Sequence, residues 1–172
     1  EKSNFYLNLS NYLNPKFKFN LSLVAENFYL NNEYDKVKKV LKNFDKKDEF
    51  YYWFRIKKEA QIIIKDQGYE DGIDFISHKF NKINSSNLKI VFDIANFYKN
   101  SKKYEKAIDY YTKIISSLKD TSDIKSDLLY RRGGSYERLG DYKKSDEDLL
   151  YSLKINPEDA YVLNYLAYSW LE

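Results

Sequence analysis

Few residues of this chain have the chemistry of an active site. It contains one histidine, His78, and no cysteine, so disulfides and thiol chemistry are excluded. His78 has no partner at metal-ligand or catalytic-triad spacing. Gly133 and Gly134 lie within a predicted helix and do not form a phosphate-binding loop, and the carboxylates are scattered over exposed faces. We therefore predict no catalytic residue, no metal, no cofactor and no enzyme activity.

The charge balance argues against a nucleic-acid partner. Lys and Arg number 29 against 26 for Asp and Glu, giving a net charge of +3, which provides little attraction for phosphate groups. The pairs Lys38-Lys39 and Lys46-Lys47 have acidic neighbours and indicate solvated helix faces. The apolar runs, such as residues 62–64, are far shorter than the roughly 20 residues needed to span a membrane. We expect neither nucleic-acid binding nor membrane contact from this segment.

The elements that position the side chains are predicted to be helices. The chain has 172 residues, of which 43% are hydrophobic, with two prolines and five glycines. That composition is typical of a folded chain with few tight turns between strands.

Internal repeats appear when the rare small residues are aligned. Four columns of residues share spacings of 35, 35 and 38, and three of them continue with a further spacing of 34. The small column is Ala25, Ala60, Ala95, Gly133 and Ala167, and the tyrosine column is Tyr34, Tyr69, Tyr104 and Tyr142. The two apolar columns are Leu21, Ile56, Val91, Leu129 and Leu163, and Phe28, Ile63, Tyr98, Tyr136 and Trp170. Four columns with one set of spacings indicate a real repeat.

Each repeat unit reads as a helix, a turn and a second helix. In the unit of residues 126–159, apolar or small residues at positions 4, 8 and 11 fall on one helical face. Gly140-Asp141 breaks the first helix, and Asn156-Pro157 ends the second because proline disfavours helix in the residue before it. The small residue at position 8 lets two helices approach closely.

This pattern resembles the tetratricopeptide repeat. The matching features are the small residue at position 8, an aromatic at 11, Gly140-Asp141-Tyr142 at 15 to 17, a small residue at 20 and Pro157 at 32. The chain departs from the pattern at Glu59 and Arg132, where the family usually has leucine. Gly72 and Val37 replace the usual alanine at position 20, and the second unit is the weakest match.

The phasing predicts a single array over residues 1–172, cut within a repeat at both ends. The predicted segments are a second helix at 1–17, whole units at 18–52, 53–87, 88–125 and 126–159, and a first helix at 160–172. We expect a fragment of a longer bacterial protein, because the final stretch DAYVLNYLAYSWLE also resembles segments of bacterial repeat proteins. The sequence does not indicate the compartment of the protein. We expect a soluble segment in the bacterial cytoplasm or periplasm, and a membrane tether would come from regions outside this segment.

The resemblance implies an all-α, right-handed solenoid of stacked antiparallel helix pairs, with the first helices lining a concave groove. At the truncated ends, Phe5, Leu9, Leu166 and Trp170 are expected to lack their neighbours. Such apolar ends allow an end-to-end dimer, which we would regard as an artefact of truncation.

Ligand contacts in this family usually come from fixed positions of the first helices. Transferred to this chain, these positions give the candidate groove residues Phe54, Lys57, Gln61, Phe92, Asn96, Lys99, Tyr130, Arg131, Tyr161 and Tyr165. Aromatic area with interspersed cations and amides suits an extended peptide or a partner helix. The resemblance therefore implies a non-catalytic scaffold or adaptor that binds another protein or a peptide.

Two other functions stay open. The 35-residue spacing also occurs in helical-repeat modules that bind RNA, and a spacer or self-assembly element would leave the groove empty. One specific form of peptide binding, the recognition of a terminal carboxylate, is disfavoured. The family's clamp for a terminal carboxylate would place Asp93 and Asp127 against the carboxylate, and like charges repel.

Overall fold

Ten α-helices follow one another along residues 2–119 and 122–169, the part of the chain described by the computed structural model. The helices are α1 (Lys2–Leu13), α2 (Lys18–Leu30), α3 (Tyr34–Leu41), α4 (Glu49–Gln67), α5 (Tyr69–Ile83), α6 (Leu88–Asn100), α7 (Tyr104–Ile115), α8 (Asp123–Arg138), α9 (Tyr142–Ile155) and α10 (Ala160–Ser169). No strand occurs in these residues, so the all-α prediction is confirmed.

The tyrosine column marks the starts of helices. Four helices begin at its members: α3 at Tyr34, α5 at Tyr69, α7 at Tyr104 and α9 at Tyr142. The helices α4 and α8 begin at Glu49 and Asp123, three or four residues before the predicted starts of their repeat units. The extra spacing of the third unit falls between α7 and α8, where residues 120 and 121 lie outside the described residues.

Three of the turns that precede these tyrosines share one backbone conformation. A residue in the left-handed region lies two positions before the tyrosine: Asn32 at φ +59°, Lys102 at φ +60° and Gly140 at φ +78°. The next amide donates to a carbonyl oxygen five residues earlier: Glu33 to Phe28 at 2.9 Å, Lys103 to Tyr98 at 2.9 Å and Asp141 to Tyr136 at 3.0 Å. This bond closes the end of the first helix as in a Schellman motif. The repeat is therefore present in the backbone as well as in the side chains.

The turn of the second unit differs from the other three. Gly68, at φ +107°, directly follows α4 and donates to the carbonyl oxygen of Ile64 at 3.2 Å. The helix α5 starts at the next residue, so the three-residue connection of the other units is absent here. This shorter turn agrees with the weak match of the second unit to the repeat pattern.

The chain divides into two compact units, Glu1–Lys79 and Phe80–Glu172. In the first unit, α2 packs against α3 and α3 against α4. Their core contains six buried side chains: Leu21, Ala25, Val37, Leu41, Phe44 and Ile62. In the second unit, α6 packs against α7, α7 against α8, α8 against α9 and α9 against α10. The prediction of one array over all 172 residues stays a prediction.

Glycine at position 72 has a packing reason within the first unit. A Cβ built there would collide with the side chain of Ile64 and would lie 3.1 Å from the carbonyl oxygen of Ala60. Ile64 fills the space that the usual alanine would need, so only glycine lets α5 lie this close to α4.

The small residues of α8 and α9 allow those helices to approach closely in the second unit. A Cβ at Gly133 would lie 3.1 Å from Cγ of Leu149 and 3.2 Å from the carbonyl oxygen of Ser145. The hydroxyls of Ser126 and Ser152 lie 2.8 Å apart, and Ser152 also donates to the carbonyl oxygen of Ser126 at 2.9 Å. The predicted role of position 8, close helix approach, is confirmed at Gly133.

The predictions for α10 need correction. Leu163 is 48% exposed, whereas Val162 and Leu166 are 0% and 3% exposed and pack with Leu149 of α9. The predicted column was therefore one residue out of phase on this helix, and the expectation that Leu166 lacks neighbours was wrong. Ala167 is also exposed. Phe5 and Leu9 are exposed as expected, and Trp170 lies outside the described residues.

Candidate functional site: a basic, tyrosine-lined cavity

A cavity of about 260 Å³ opens in the second unit among α6, α7, α8 and α10. We call it the basic cavity, and its lining residues are Lys99, Tyr104, Tyr130, Arg131, Gly134, Arg138 and Tyr165. Three of these are cationic and three are tyrosines. Four of the ten candidate groove residues, Lys99, Tyr130, Arg131 and Tyr165, thus meet at one place.

Arg131 is held on two sides. Its Nε donates to Oδ2 of Asp127 at 2.8 Å, one helical turn earlier on α8, and its guanidinium lies 5.3 Å from the ring centroid of Phe92 on α6. A guanidinium over an aromatic ring is stabilised by the ring's negative face. These contacts fix a planar group that can also hydrogen-bond a carboxylate or a peptide carbonyl.

Lys99 extends from the last turn of α6 into the same cavity. It forms no ion pair with any of the residues that the structure describes. Burial lowers the pKa of its ammonium group, and the positive charge of Arg131 lowers it further, with Asp127 acting in the opposite direction. The cavity therefore holds a partly buried positive charge that its own side chains do not fully balance.

Tyr165 forms the α10 side of the cavity. Its hydroxyl donates to Oε2 of Glu137 at 2.8 Å, and its ring meets the ring of Tyr130 edge-on with centroids 5.9 Å apart. Burial and the bond to Glu137 raise the pKa of this phenol above its usual value. The tyrosine is neutral at physiological pH, so it acts as a hydrogen-bonding and stacking surface.

Asn96 and Phe92 lie beside the cavity on α6. Oδ1 of Asn96 accepts a 2.8 Å hydrogen bond from the hydroxyl of Tyr111, which is fully buried. This bond orients the carboxamide and leaves its NH₂ group without a hydrogen bond among residues 2–119 and 122–169. An oriented amide of this kind can bind the backbone of an extended peptide.

The remaining candidates do not line the basic cavity. Tyr161 is 78% exposed on α10. Phe54, Lys57 and Gln61 lie on α4 in the first unit, where the ring of Phe54 packs edge-on against Phe44 at 5.5 Å. Oε1 of Gln61 is buried without a hydrogen-bond partner among the described residues. Phe54 thus contributes to the core of its unit as well as to its surface.

The sequence reasoning missed Tyr104 and Gly134 as members of the site, and it left Arg138 out of the ten candidates. Tyr104 was assigned only to a repeat column, but the left-handed turn at Lys102 brings it against the end of α6. Gly134 leaves room beside Tyr165, whose hydroxyl would lie 3.5 Å from a Cβ at that position. A signal for Arg138 was present, since its position in the repeat is among those that contact ligands in the resembling family.

A second cavity, of about 400 Å³, lies in the second unit at the α5–α6 loop and α7. It is lined mainly by amides, hydroxyls and apolar side chains, with Lys113 its one charged lining residue. The Lys113 ammonium lies 4.8 Å from the ring centroid of Tyr110. None of the ten candidate residues lines this cavity.

The described residues contain no group of three or more His, Asp or Glu side chains that could hold a metal ion. Over the same residues, every helix is too short or too polar to cross a membrane.

Comparison with known proteins agrees with the repeat. The family model for the tetratricopeptide repeat matches residues 88–117 and 126–159. These stretches are the predicted third and fourth units, with the same start at Leu88 and the same span for the fourth. The chain contains tetratricopeptide repeats. The family predicted from the sequence is confirmed for these two units, both of which contain the regular turn described above.

Solved structures of tetratricopeptide repeat proteins have the same fold. MamA AMB-1 superposes with a TM-score of 0.62 at 15% identity, covering 87% of this chain and 85% of MamA. YrrB, described as a tetratricopeptide repeat protein with an unusual peptide-binding site, superposes with a TM-score of 0.60 at 11% identity, covering 94% of this chain and 80% of YrrB. At this identity the likeness shows the fold alone. It confirms the predicted class of stacked helix pairs.

Proposed function

We propose that this chain is a non-catalytic scaffold that binds a peptide or a partner helix along α6, α8 and α10. The observation that carries the proposal is the basic cavity, where four candidate residues from three first helices meet. The fold supports it, because tetratricopeptide repeats are in general protein-interaction modules, and YrrB is described as having a peptide-binding site.

The chemistry of the cavity suits a peptide. Tyr and Arg are the side chains that most often dominate binding energy at protein interfaces, and here Tyr130, Tyr165 and Arg131 are already held by neighbours. Because these side chains are ordered before a ligand arrives, binding costs less side-chain entropy. The carboxamide of Asn96 adds a group that can hydrogen-bond a peptide backbone.

The test is capture of peptides from a display library by the purified chain and by two variants. Arg131→Ala removes the guanidinium at the cavity, and Lys143→Ala removes an exposed cation from α9 as a matched control. We expect selected peptides to bind Arg131→Ala at least about tenfold more weakly, the loss of a charge-assisted hydrogen bond, and to bind Lys143→Ala as they bind the unchanged chain. Urea unfolding of both variants controls for folding.

Other results would favour the alternative functions. If no peptide is captured and labelled single-stranded RNA binds with a steep salt dependence, the chain is an RNA-binding module. If neither binds, or if Arg131→Ala has no effect on any captured peptide, the groove is not the binding surface and a spacer role is favoured.

A further inference from the structure

This inference rests on the proposed function and names the chemistry of the ligand. We propose that the basic cavity receives the side-chain carboxylate of an acidic residue within the bound peptide. The carboxylate lies beside Lys99 and Arg131, and the tyrosines contact the neighbouring part of the peptide.

The charges around the cavity leave one cation unbalanced. Arg131 is paired with Asp127 at 2.8 Å, and Arg138 with Glu137 at 3.5 Å. Lys99 has no ion pair with a described residue, although it lies in the same cavity. One monoanion next to Lys99 would complete the pairing. A phosphorylated side chain carries about −1.5 to −2 charges, which is more than the single charge left over, so a carboxylate fits better.

The position of Lys99 makes an anion favourable. Its ammonium is partly buried, and both this burial and the charge of Arg131 lower its pKa. Both effects mean that the charged form is less stable here than in water. A carboxylate between the two cations would offset the repulsion and replace lost hydration with charge-assisted hydrogen bonds.

The size of the cavity favours a side chain over a separate small molecule. Its volume of about 260 Å³ is below the range of about 300–1,000 Å³ typical of small-molecule pockets. Tyr104, Tyr130 and Tyr165 give it aromatic walls, against which the stem of a glutamate and the adjoining peptide can pack.

The experiment compares capped peptide libraries that differ at one central position. N-acetylated, C-amidated nonapeptide pools carry Glu, Gln, Lys or phosphoserine at the centre, and a fifth pool has a central Gln and a free C-terminal carboxylate. Binding is measured by competition against a fluorescent peptide from the Glu pool. We expect the Glu pool to bind at least about tenfold more tightly than the Gln pool.

Variants assign the preference to Lys99. We expect Lys99→Gln to reduce the preference for Glu over Gln to within about twofold, Lys99→Arg to retain it, and Lys143→Gln to leave it unchanged. Urea unfolding of each variant controls for folding. If Lys99→Gln is unstable, Lys99→Met, which removes the charge and keeps the length of the side chain, gives the same test.

Each other result contradicts the inference in a distinct way. Equal binding of the Glu and Gln pools would overturn the acidic-ligand assignment and leave the peptide scaffold intact. No binding of any pool would overturn the scaffold itself. Tightest binding of the phosphoserine pool, or of the free C-terminal pool, would replace the side-chain carboxylate with a phosphate or a terminal carboxylate. A Glu preference that remains unchanged in a folded variant without the Lys99 charge would place the ligand elsewhere.

Discussion

The hydroxyl of Tyr165 donates a 2.8 Å hydrogen bond to Oε2 of Glu137, which joins α10 to α8 beside the basic cavity. The bond holds the ring of Tyr165, which lies edge-on to Tyr130, and it occupies one oxygen of the Glu137 carboxylate. It therefore affects both the packing of α10 and the charge that a ligand meets.

Tyr165→Phe should weaken the second unit slightly and also weaken peptide binding. Removing the hydroxyl loses one partly buried hydrogen bond, which is worth about 1 kcal/mol of unfolding free energy. It also leaves the Glu137 carboxylate with Arg138 as its remaining partner, so that Glu137 repels an acidic ligand more strongly. Urea unfolding and peptide titration measure the two effects. Tyr142→Phe is the matched control, because that tyrosine is 63% exposed on α9 and should change neither quantity. Equal behaviour of the two variants would show that the bond to Glu137 contributes nothing.

Replacing each of two neighbouring glycines of α8 with alanine should change the free energy of unfolding in opposite directions. A Cβ at Gly133 would lie 3.1 Å from Cγ of Leu149, which is fully buried, and 3.2 Å from the backbone oxygen of Ser145. Neither atom can move easily, so overpacking should outweigh the gain of about 1 kcal/mol in helix propensity. A Cβ at Gly134 meets only the end of Tyr165, at 3.5 Å and beyond.

We expect Gly133→Ala to be less stable than Gly134→Ala by about 1–3 kcal/mol in urea unfolding. Gly134→Ala should be as stable as the unchanged chain or slightly more stable. The account of close helix approach fails if Gly133→Ala is the more stable of the two.

Arg132 and Asp148 form an ion pair between α8 and α9 that the repeat pattern did not require. Both oxygens of Asp148 accept bonds from Arg132 at 2.7 Å, and the side chains are only 16% and 9% exposed. Arg132→Leu restores the residue that the family usually has at this position. It also leaves Asp148 as a nearly buried, unpaired charge, which costs about 3–5 kcal/mol.

The double variant Arg132→Leu with Asp148→Leu should recover most of that loss, since apolar replacement of a buried ion pair is often neutral. Denaturant midpoints and slopes of the single and double variants measure the coupling. Arg138→Leu, at a side chain that is 64% exposed, is the control and should change stability by less than about 0.5 kcal/mol. If the single variant is as stable as this control, the ion pair does not stabilise the unit.

Because of Asp48, the stability of the first unit should vary with pH in the acidic range. The hydrogen bond from Lys18, at 3.1 Å, lowers the pKa of Asp48 below its usual value, and the bond from the backbone amide of Tyr51 at the start of α4 adds to this. A carboxyl with a lowered folded-state pKa contributes stability above its unfolded-state value of about 3.9. That contribution is lost as the pH falls through the lowered pKa.

Asp48→Asn should therefore be less stable than the unchanged chain at pH 7, and the difference should shrink as the pH falls from about 5 to about 2. Chemical unfolding across this pH range measures it. Asp66→Asn removes the same charge from the exposed end of α4 and serves as the control. A difference between Asp48→Asn and the unchanged chain that does not vary with pH would exclude Lys18 as its cause.

The repeat and its helices could be predicted from the sequence because they depend on local chemistry. The column of Tyr34, Tyr69, Tyr104 and Tyr142 marks the first residues of four helices, and the turns before three of them repeat the same hydrogen bond. Turn geometry and helix periodicity are properties of short stretches of chain, so they appear at fixed spacings. They identified the all-α class and the tetratricopeptide repeat, and they predicted the surfaces that would face a ligand.

Which side chains are buried, and which of them meet in one site, depended on tertiary structure. On α10, Val162 and Leu166 are buried and Leu163 is exposed, because the helix rotates to pack on Leu149 of α9, and no pattern within α10 specifies that rotation. Phe92, Tyr130, Arg131 and Tyr165 were candidates by position alone. Packing brought Tyr130, Arg131 and Tyr165 together with a further candidate, Lys99, and with Tyr104, Gly134 and Arg138.

The sequence by itself therefore determined the repeat and the helices, and it predicted positions for ligand contact. Only the tertiary structure decided which of these positions form one cavity and which cation in it has no ion pair among the described residues. The physical reason is that spacing along a chain sets the face of each helix, whereas charge balance depends on distances between helices.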